Sequence, residues 1–347
     1  MTTTLNNDFV LFSTGQTIGA SSSATMKNRI INGAMVIDQR NNGGSVTNAT
    51  SAIYTVDRWA SYGSVASKFS VQQNAGSVTP PTGFANYLGI TSLSSYSVTS
   101  TDEFEVYQII EGYNVADLNW GKTNAKTVTL SFWVYSSLTG TFGGALQSTG
   151  ASRSYPFSYS IPVANTWTPI SIIINGDTTG TWNITNGQGI VVFFGLGQGS
   201  TRSATAGAWT TGNFNNATGA TSVVGTSGAT FYLTGVQLEV GTVASSFDYR
   251  DIGRELIMCQ RYYETGSSIL PAFYTGGNFG GGVIIVKYSV TKRTAASFNP
   301  TRTGGSGSVT TLSSGNNTQE SSQVWWGASS ANVGDYSNFT WTAIAEL

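Results

Sequence analysis

The sequence predicts an all-β protein: a jelly-roll β-sandwich followed by a short helix and a small C-terminal β-domain. Three observations carry this. Of 347 residues only 10% are charged and 42 are glycine, while aromatics make up 12%. Such a mixture suits strands joined by tight turns better than helices, and it is too rich in aromatics for disorder. Apolar residues alternate with a period of two in one segment after another from Ala49 to Arg250. No helical period precedes Asp251.

The chain divides into four parts: 1–27, 28–250, 251–264 and 265–347. Residues 1–27 are small and polar except for Phe9, Val10, Leu11 and Phe12. They read either as a flexible tail or as an anchor that orders through that apolar patch on docking to a partner. Asn28–Gly44, with Ile30, Ile31, Met35, Val36 and Ile37, reads as the entry strand of the large domain. Phe104, Val106 and Ile110 then share one strand face, as do Val128, Leu130, Phe132 and Val134, and as do Tyr155, Phe157, Tyr159 and Ile161. Ile170–Ile174 and Ile190–Leu196 are apolar on nearly every residue, which predicts central strands covered on both faces. The polar segment Gly197–Gly228 is a long loop, functional, disordered or packed on a neighbouring copy of the chain. About ten strands in a sandwich or barrel follow, and a jelly roll fits.

Gly235 is the expected bend in the last strong strand of this domain. Beyond it, Ile252, Leu256, Cys259 and Tyr263 recur at helical spacing. Asp248, Arg250, Arg254, Glu255 and Arg261 concentrate charge there, in a chain otherwise poor in it, and are candidates for an interdomain or intersubunit contact. After Glu264, strands are expected at Val283–Val290, Gln323–Gly327 and Asn338–Leu347, with Asn299–Asn317 a loop. The last segment predicts a packed C-terminus.

Several classes of chemistry are excluded. With no histidine and a single cysteine, Cys259, there is no Ser-His-Asp or Cys-His nucleophile, no histidine zinc site and no internal disulfide. The net charge of −1 and the absence of a basic stripe argue against nucleic acid. No apolar run is long enough to span a membrane as a helix, and no signal peptide is evident. No cofactor or metal site is assigned, although structural calcium on oxygen ligands stays open.

Carbohydrate faces need exposed rings for the C–H-rich side of a sugar, with hydroxyls, amides or carboxylates beside them. Trp133, Tyr135 and Tyr107 face away from the expected core and are the first candidates; Trp182 and Trp209, in turn-rich stretches, are the second. The competing reading is that loops or neighbours cover these rings. Glu103 and Glu105 share a strand face at two-residue spacing, the minimum a glycosidase pair would need. An exposed polar face gives the same pattern.

Gly235–Gly241 (GVQLEVG), Phe247–Arg250 (FDYR), Cys259–Tyr263 (CQRYY) and Ala345–Leu347 (AEL) occur in this order after Asn28–Gly43 (NRIINGAMVIDQRNNG) and Asp57-Arg58-Trp59. This series resembles the carbohydrate-binding-module-like domains of bacteriophage tail and neck fibre proteins. The resemblance implies a non-enzymatic virion appendage, homotrimeric, attached to other virion proteins through its N-terminus and contacting host surface polysaccharide. The lack of a long repetitive shaft favours a short fibre, a neck appendage or a decoration. A polysaccharide depolymerase and a ligand-free decoration protein are the alternatives.

Overall fold

The computed structural model describes residues 26–271, 283–305, 309–328 and 336–347, with short strands at Leu5–Asn6, Phe9–Leu11 and Thr17–Gly19. Phe12, and the side chains of Phe9, Val10 and Leu11, lie outside the described residues, so the expected anchor is not placed.

The large unit is an antiparallel sandwich. Its principal strands are β1 (Ala60–Gly63), β2 (Phe69–Gln73), β3 (Leu88–Ser92), β4 (Glu103–Glu111), β5 (Val128–Ser136), β6 (Gly140–Ser148), β7 (Arg153–Ile161), β8 (Thr168–Ile174), β9 (Gln188–Gln198) and β10 (Thr230–Val240). One sheet runs β8-β5-β10-β3-β2 and ends on Val46–Thr47. The other runs from Thr210–Thr211 through β7-β6-β9-β4-β1 to Ile53–Tyr54. The facing sides interdigitate in a core that includes Trp59, Phe104, Phe132, Phe142, Phe157, Phe194 and Phe231. Non-sequential neighbours in both sheets, with long returns between them, make this the predicted jelly roll.

Three local expectations change. Asn28–Gly44 forms turns, not a strand. The Asn28 carboxamide takes the Leu238 and Ile30 N–H groups and donates to the Val236 carbonyl, so a side chain replaces the ladder. Asn32 and Met35 adopt positive φ there, and a strand cannot pass through such a backbone. The apolar run Ile170–Ile174 lies on the edge strand β8, where Ile173 is half exposed; its β-branched residues are apolar on both faces although only one is covered. Gly197–Gly228 is folded across the outer face of the β7-β6-β9-β4 sheet, with short strands at Ser203–Ala204 and Asn216–Ala217.

After the sandwich comes α1 (Ile252–Gln260), capped by the Asp251 carboxylate, which accepts the Arg254 N–H at 3.0 Å. Its buried face carries Glu255 and Cys259, while Ile252 is 63% exposed. The expected stripe is therefore rotated, because Tyr263 already belongs to the next strand and Glu255 is drawn inward by Arg250. The small unit has two three-stranded sheets: β11 (Tyr263–Pro271), β16 (Tyr336–Ile344) and β13 (Ser297–Gly305), and β12 (Val283–Lys287), β15 (Ser321–Ala328) and β14 (Val309–Gly315). The segment read as a loop, Asn299–Asn317, thus holds most of two strands; its Gly, Ser and Thr residues hide the alternation. A small core of Leu270, Val286, Phe298, Val324, Phe339 and Trp341 joins the sheets.

Candidate functional site

A groove crosses the outer face of the β8-β5-β10 sheet and holds about 400 Å³ of space. Strand alternation dictates what reaches it. Val128, Leu130, Phe132 and Val134 of β5 point into the core, so Ser131 and Trp133 point out into the groove. On β10 the register against β5 shifts between Ser131 and Trp133, at Gly235, whose φ is +62°. A Cβ there would stand 2.6 Å from Phe84 Cζ and 3.1 Å from Trp133 Cδ1. The glycine bulge is what lets both rings rest on the sheet backbone.

The second wall comes from the segment after β10. Phe247 and Tyr249 pack edge-on to each other with ring centres 4.9 Å apart, and Phe84 closes the trio at 5.1 and 5.6 Å. Tyr249 remains 59% exposed. Sequence reasoning assigned this segment to the joint alone and missed these three rings. The signal was present in the spacing of Phe247 and Tyr249, whose common face follows from a two-residue period. Phe84, in a Pro- and Gly-rich stretch, gives no such signal.

Polar atoms line the same space. Among the described residues, the hydroxyls of Thr82, Ser131, Ser171 and Tyr249 and the Trp133 indole N–H have no hydrogen-bond partner. Trp133 differs in this from the other sandwich tryptophans: Trp59, Trp120, Trp167, Trp182 and Trp209 all donate to backbone carbonyls. Buried indoles are normally satisfied internally, so a half-buried one with its N–H left free faces outward by construction.

The remaining aromatic candidates are placed elsewhere. Tyr135 stacks on Tyr232 at 5.2 Å with rings 6° from parallel, beside Trp167 and Tyr87; this packed cluster adjoins the groove without lining it. Tyr107 lies on β4, in the opposite sheet, against Phe193. It therefore shares no platform with Trp133, because the two strands belong to different layers. Trp182 is only 9% exposed and packs edge-on to Trp120 at 4.7 Å and to Trp209 at 5.3 Å. In this three-tryptophan plug Trp182 is buried, while Trp209 stays partly exposed and packs on Tyr155 at 5.3 Å.

Glu103 and Glu105 do converge. Asn215 Nδ2 donates to Glu103 at 2.9 Å and to Glu105 at 3.0 Å, Gln198 Nε2 donates to Glu105 at 3.1 Å, and Arg202 lies 3.3 Å from Glu103. Burial, and then the neighbouring Glu103 carboxylate, push Glu105 up to about 8. The segment carrying Arg202 and Asn215 roofs the pair, and Glu105 is 4% exposed.

The charged joint is built from buried contacts. The Arg250 guanidinium donates to the Ile30 carbonyl at 3.0 Å and to the Asn28 carbonyl, and lies 3.3 Å from Glu255 and 3.8 Å from Asp248. Glu255 also accepts the Asn32 N–H. Arg261 and the Tyr262 hydroxyl bind Glu111 of β4 at 2.7 and 2.6 Å; burial alone would raise this carboxyl, but these donors hold it below its ordinary value. Arg254 is exposed and serves the joint only through its backbone N–H. Glu346 returns to the large unit, pairing with Arg58 and, at 2.6 Å, with Arg40. No group of three or more Cys, Asp or Glu residues forms a metal site among the described residues.

No protein-family model matches the chain, and no curated protein matches it. Solved structures with a similar course include the enzymatically active domain of tailspike protein 4 of bacteriophage CBA120, at 12% identity and a TM-score of 0.34. That match covers 62% of this chain and 21% of the other, so the chain spans about a fifth of the tailspike domain. A CBM4 structure matches at 15% identity and a TM-score of 0.30, over 60% of this chain and 98% of its own. The family 11 carbohydrate-binding module of Clostridium thermocellum, solved with a mixed-linked tetrasaccharide, matches at 12% identity and a TM-score of 0.29, over 58% and 98%. The functional reading rests on the groove's own residues.

Proposed function

We propose that this chain is a non-catalytic carbohydrate-binding appendage of a bacteriophage particle, and that the groove around Trp133 is its glycan site. The observation that carries the carbohydrate reading is the pairing of one exposed ring, Tyr249, and three partly exposed ones with free hydroxyls and a free indole N–H. Rings take the apolar face of a sugar while the hydroxyls and N–H take its polar edge. The phage reading rests on the motif series, several pieces of which act together. Gln237 Oε1 accepts the Asp248 N–H at 2.8 Å, and Glu239 accepts the Ser245 N–H at 2.8 Å. The GVQLEVG strand thereby holds the FDYR segment in place as the groove's wall. Homotrimerisation, attachment through the N-terminal residues and exposure on a tail or neck belong to this proposal.

The test is a glycan array with the full chain, followed by calorimetry on the best ligand. Trp133→Ala should weaken binding about tenfold or more, since a lost ring contact and a lost hydrogen bond are each worth about 1 kcal/mol. Wild-type affinity in that variant would sink the assignment.

One observation favours a second reading. Glu103 and Glu105 present an ionisable pair with one member held protonated at neutral pH, as acid–base glycoside cleavage requires. Their roof argues against it. Release of reducing ends from host capsule or lipopolysaccharide, abolished in Glu105→Gln, would establish the depolymerase.

A further inference from the structure

We infer that the groove takes an uncharged glycan chain and discriminates against acidic polysaccharides. This rests on the carbohydrate reading above and narrows its ligand class.

The argument is one of charge placement. Acidic sugars are held by guanidinium or ammonium groups, because a carboxylate leaving water needs charge-assisted donors. Not one Arg, Lys, Asp or Glu lines the groove. The charged side chains around its rim are already engaged, and they are not net basic. Lys27 Nζ donates to the Ser246 carbonyl at 2.8 Å. Arg250 is buried and spent on Asn28, Ile30 and Glu255. Glu239 lies beneath the wall, where Ser245 donates to it through both its N–H and its hydroxyl. Asp248 adds a second carboxylate to the same loop, near Arg250. An anionic sugar would lose its hydration and meet uncharged hydroxyls, of which that of Ser245 already donates to a carboxylate, Glu239. A neutral sugar loses little and keeps the ring stacking.

The groove's floor also suits a chain rather than an isolated sugar. It runs across β10, β5 and the edge strand β8, where Pro169 and Ser171 are exposed. Beyond an edge strand no neighbour in the sheet blocks a continuing polymer. Pro169 lacks an N–H, so this edge is blunted against strand addition.

Affinity electrophoresis of the full chain tests the assignment. Gels hold either neutral polymers (dextran, mannan, galactan, mixed-linkage β-glucan) or acidic ones (alginate, polygalacturonate, polysialic acid). The expected result is retardation by at least one neutral polymer, unaltered at about 0.5 M salt, where charge attraction is screened beyond roughly 4 Å. Tyr249→Ala, at an exposed position, should keep the wild-type melting temperature and weaken that retardation about tenfold. Retardation by acidic polymers alone, lost at high salt, would overturn the ligand class and leave the carbohydrate reading standing. No retardation in any gel would overturn both. Neutral binding undiminished in Tyr249→Ala would move the site off this groove.

Discussion

At the scale of single residues, the chain's poverty in charge makes each buried ionisable group consequential. Glu105 titrates near 8 in the fold against an ordinary 4.5. Between those values the native chain holds a proton at Glu105 that the unfolded chain has released. The contribution of Glu105 to stability is therefore full below about 4.5 and is lost as pH rises toward 8. Asp57, pushed by burial to about 6, adds a slope of the same sign at lower pH, so the interval above 6 reports mainly on the Glu103–Glu105 pair. Melting temperature should fall between pH ~6.5 and ~8 in the wild type and fall less in Glu105→Gln, which keeps a neutral polar side chain at all pH values. Equal slopes would mean that the pair is solvated. The proximity of Glu103 and Glu105 is legible in the sequence from their spacing. Their roof is not, because Asn215 and Arg202 arrive from residues about a hundred positions away that carry no periodicity.

Elements were readable where one face is apolar and the other is not. Strands β4, β5 and β7 satisfy that condition, and their inward residues are those the alternation names. It fails for β8, apolar on both faces yet at an edge, and for β13 and β14, whose residues are too small and polar to mark a face. The helix was legible from its charge and its spacing, but its buried face was not, since Glu255 is inside only because Arg250 is there to meet it. Arg250→Ala removes the cation from a site that keeps Glu255 inside, and stranding a buried charge costs about 3–5 kcal/mol. The expected outcome is a large drop in melting temperature with loss of the groove wall that Arg250 adjoins, read as weaker glycan retardation. An unchanged melting temperature would reduce the joint to a tether. Of the groove itself, Trp133 was legible and Phe84 was not. Their meeting depends on a bulge at Gly235, and a lone glycine announces a bend without saying which rings it admits.

Across the whole molecule, α1 and the last residues bind the small unit to the sandwich. Arg293 donates to the Ala345 and Glu346 carbonyls at 2.9 and 2.7 Å and to the Asn186 carbonyl at 2.8 Å. Tyr54 donates to the Leu347 carbonyl at 3.3 Å. Arg58, buried over the Tyr262 ring at 3.6 Å, takes its charge partner from Glu346. Glu346→Ala strands Arg58, and calorimetry should split a single unfolding transition into two, the small unit melting first. A single transition at the wild-type temperature would show that the other contacts suffice. Light scattering on the same samples tests the proposed trimer; a clean monomer at micromolar concentration would count against it.

The Glu346 contacts also set an order in time. Arg40 and Arg58 are synthesised 306 and 288 residues before the carboxylate that neutralises them. A sandwich emerging from the ribosome can pair its strands and bury Trp59 long before that, but it must do so with Arg58 awaiting its carboxylate, whereas Arg40 already has Asp57 within 3.8 Å. Loop closure over such separations slows folding. Until the AEL residues arrive, Arg58 lacks the carboxylate it pairs with in the finished fold.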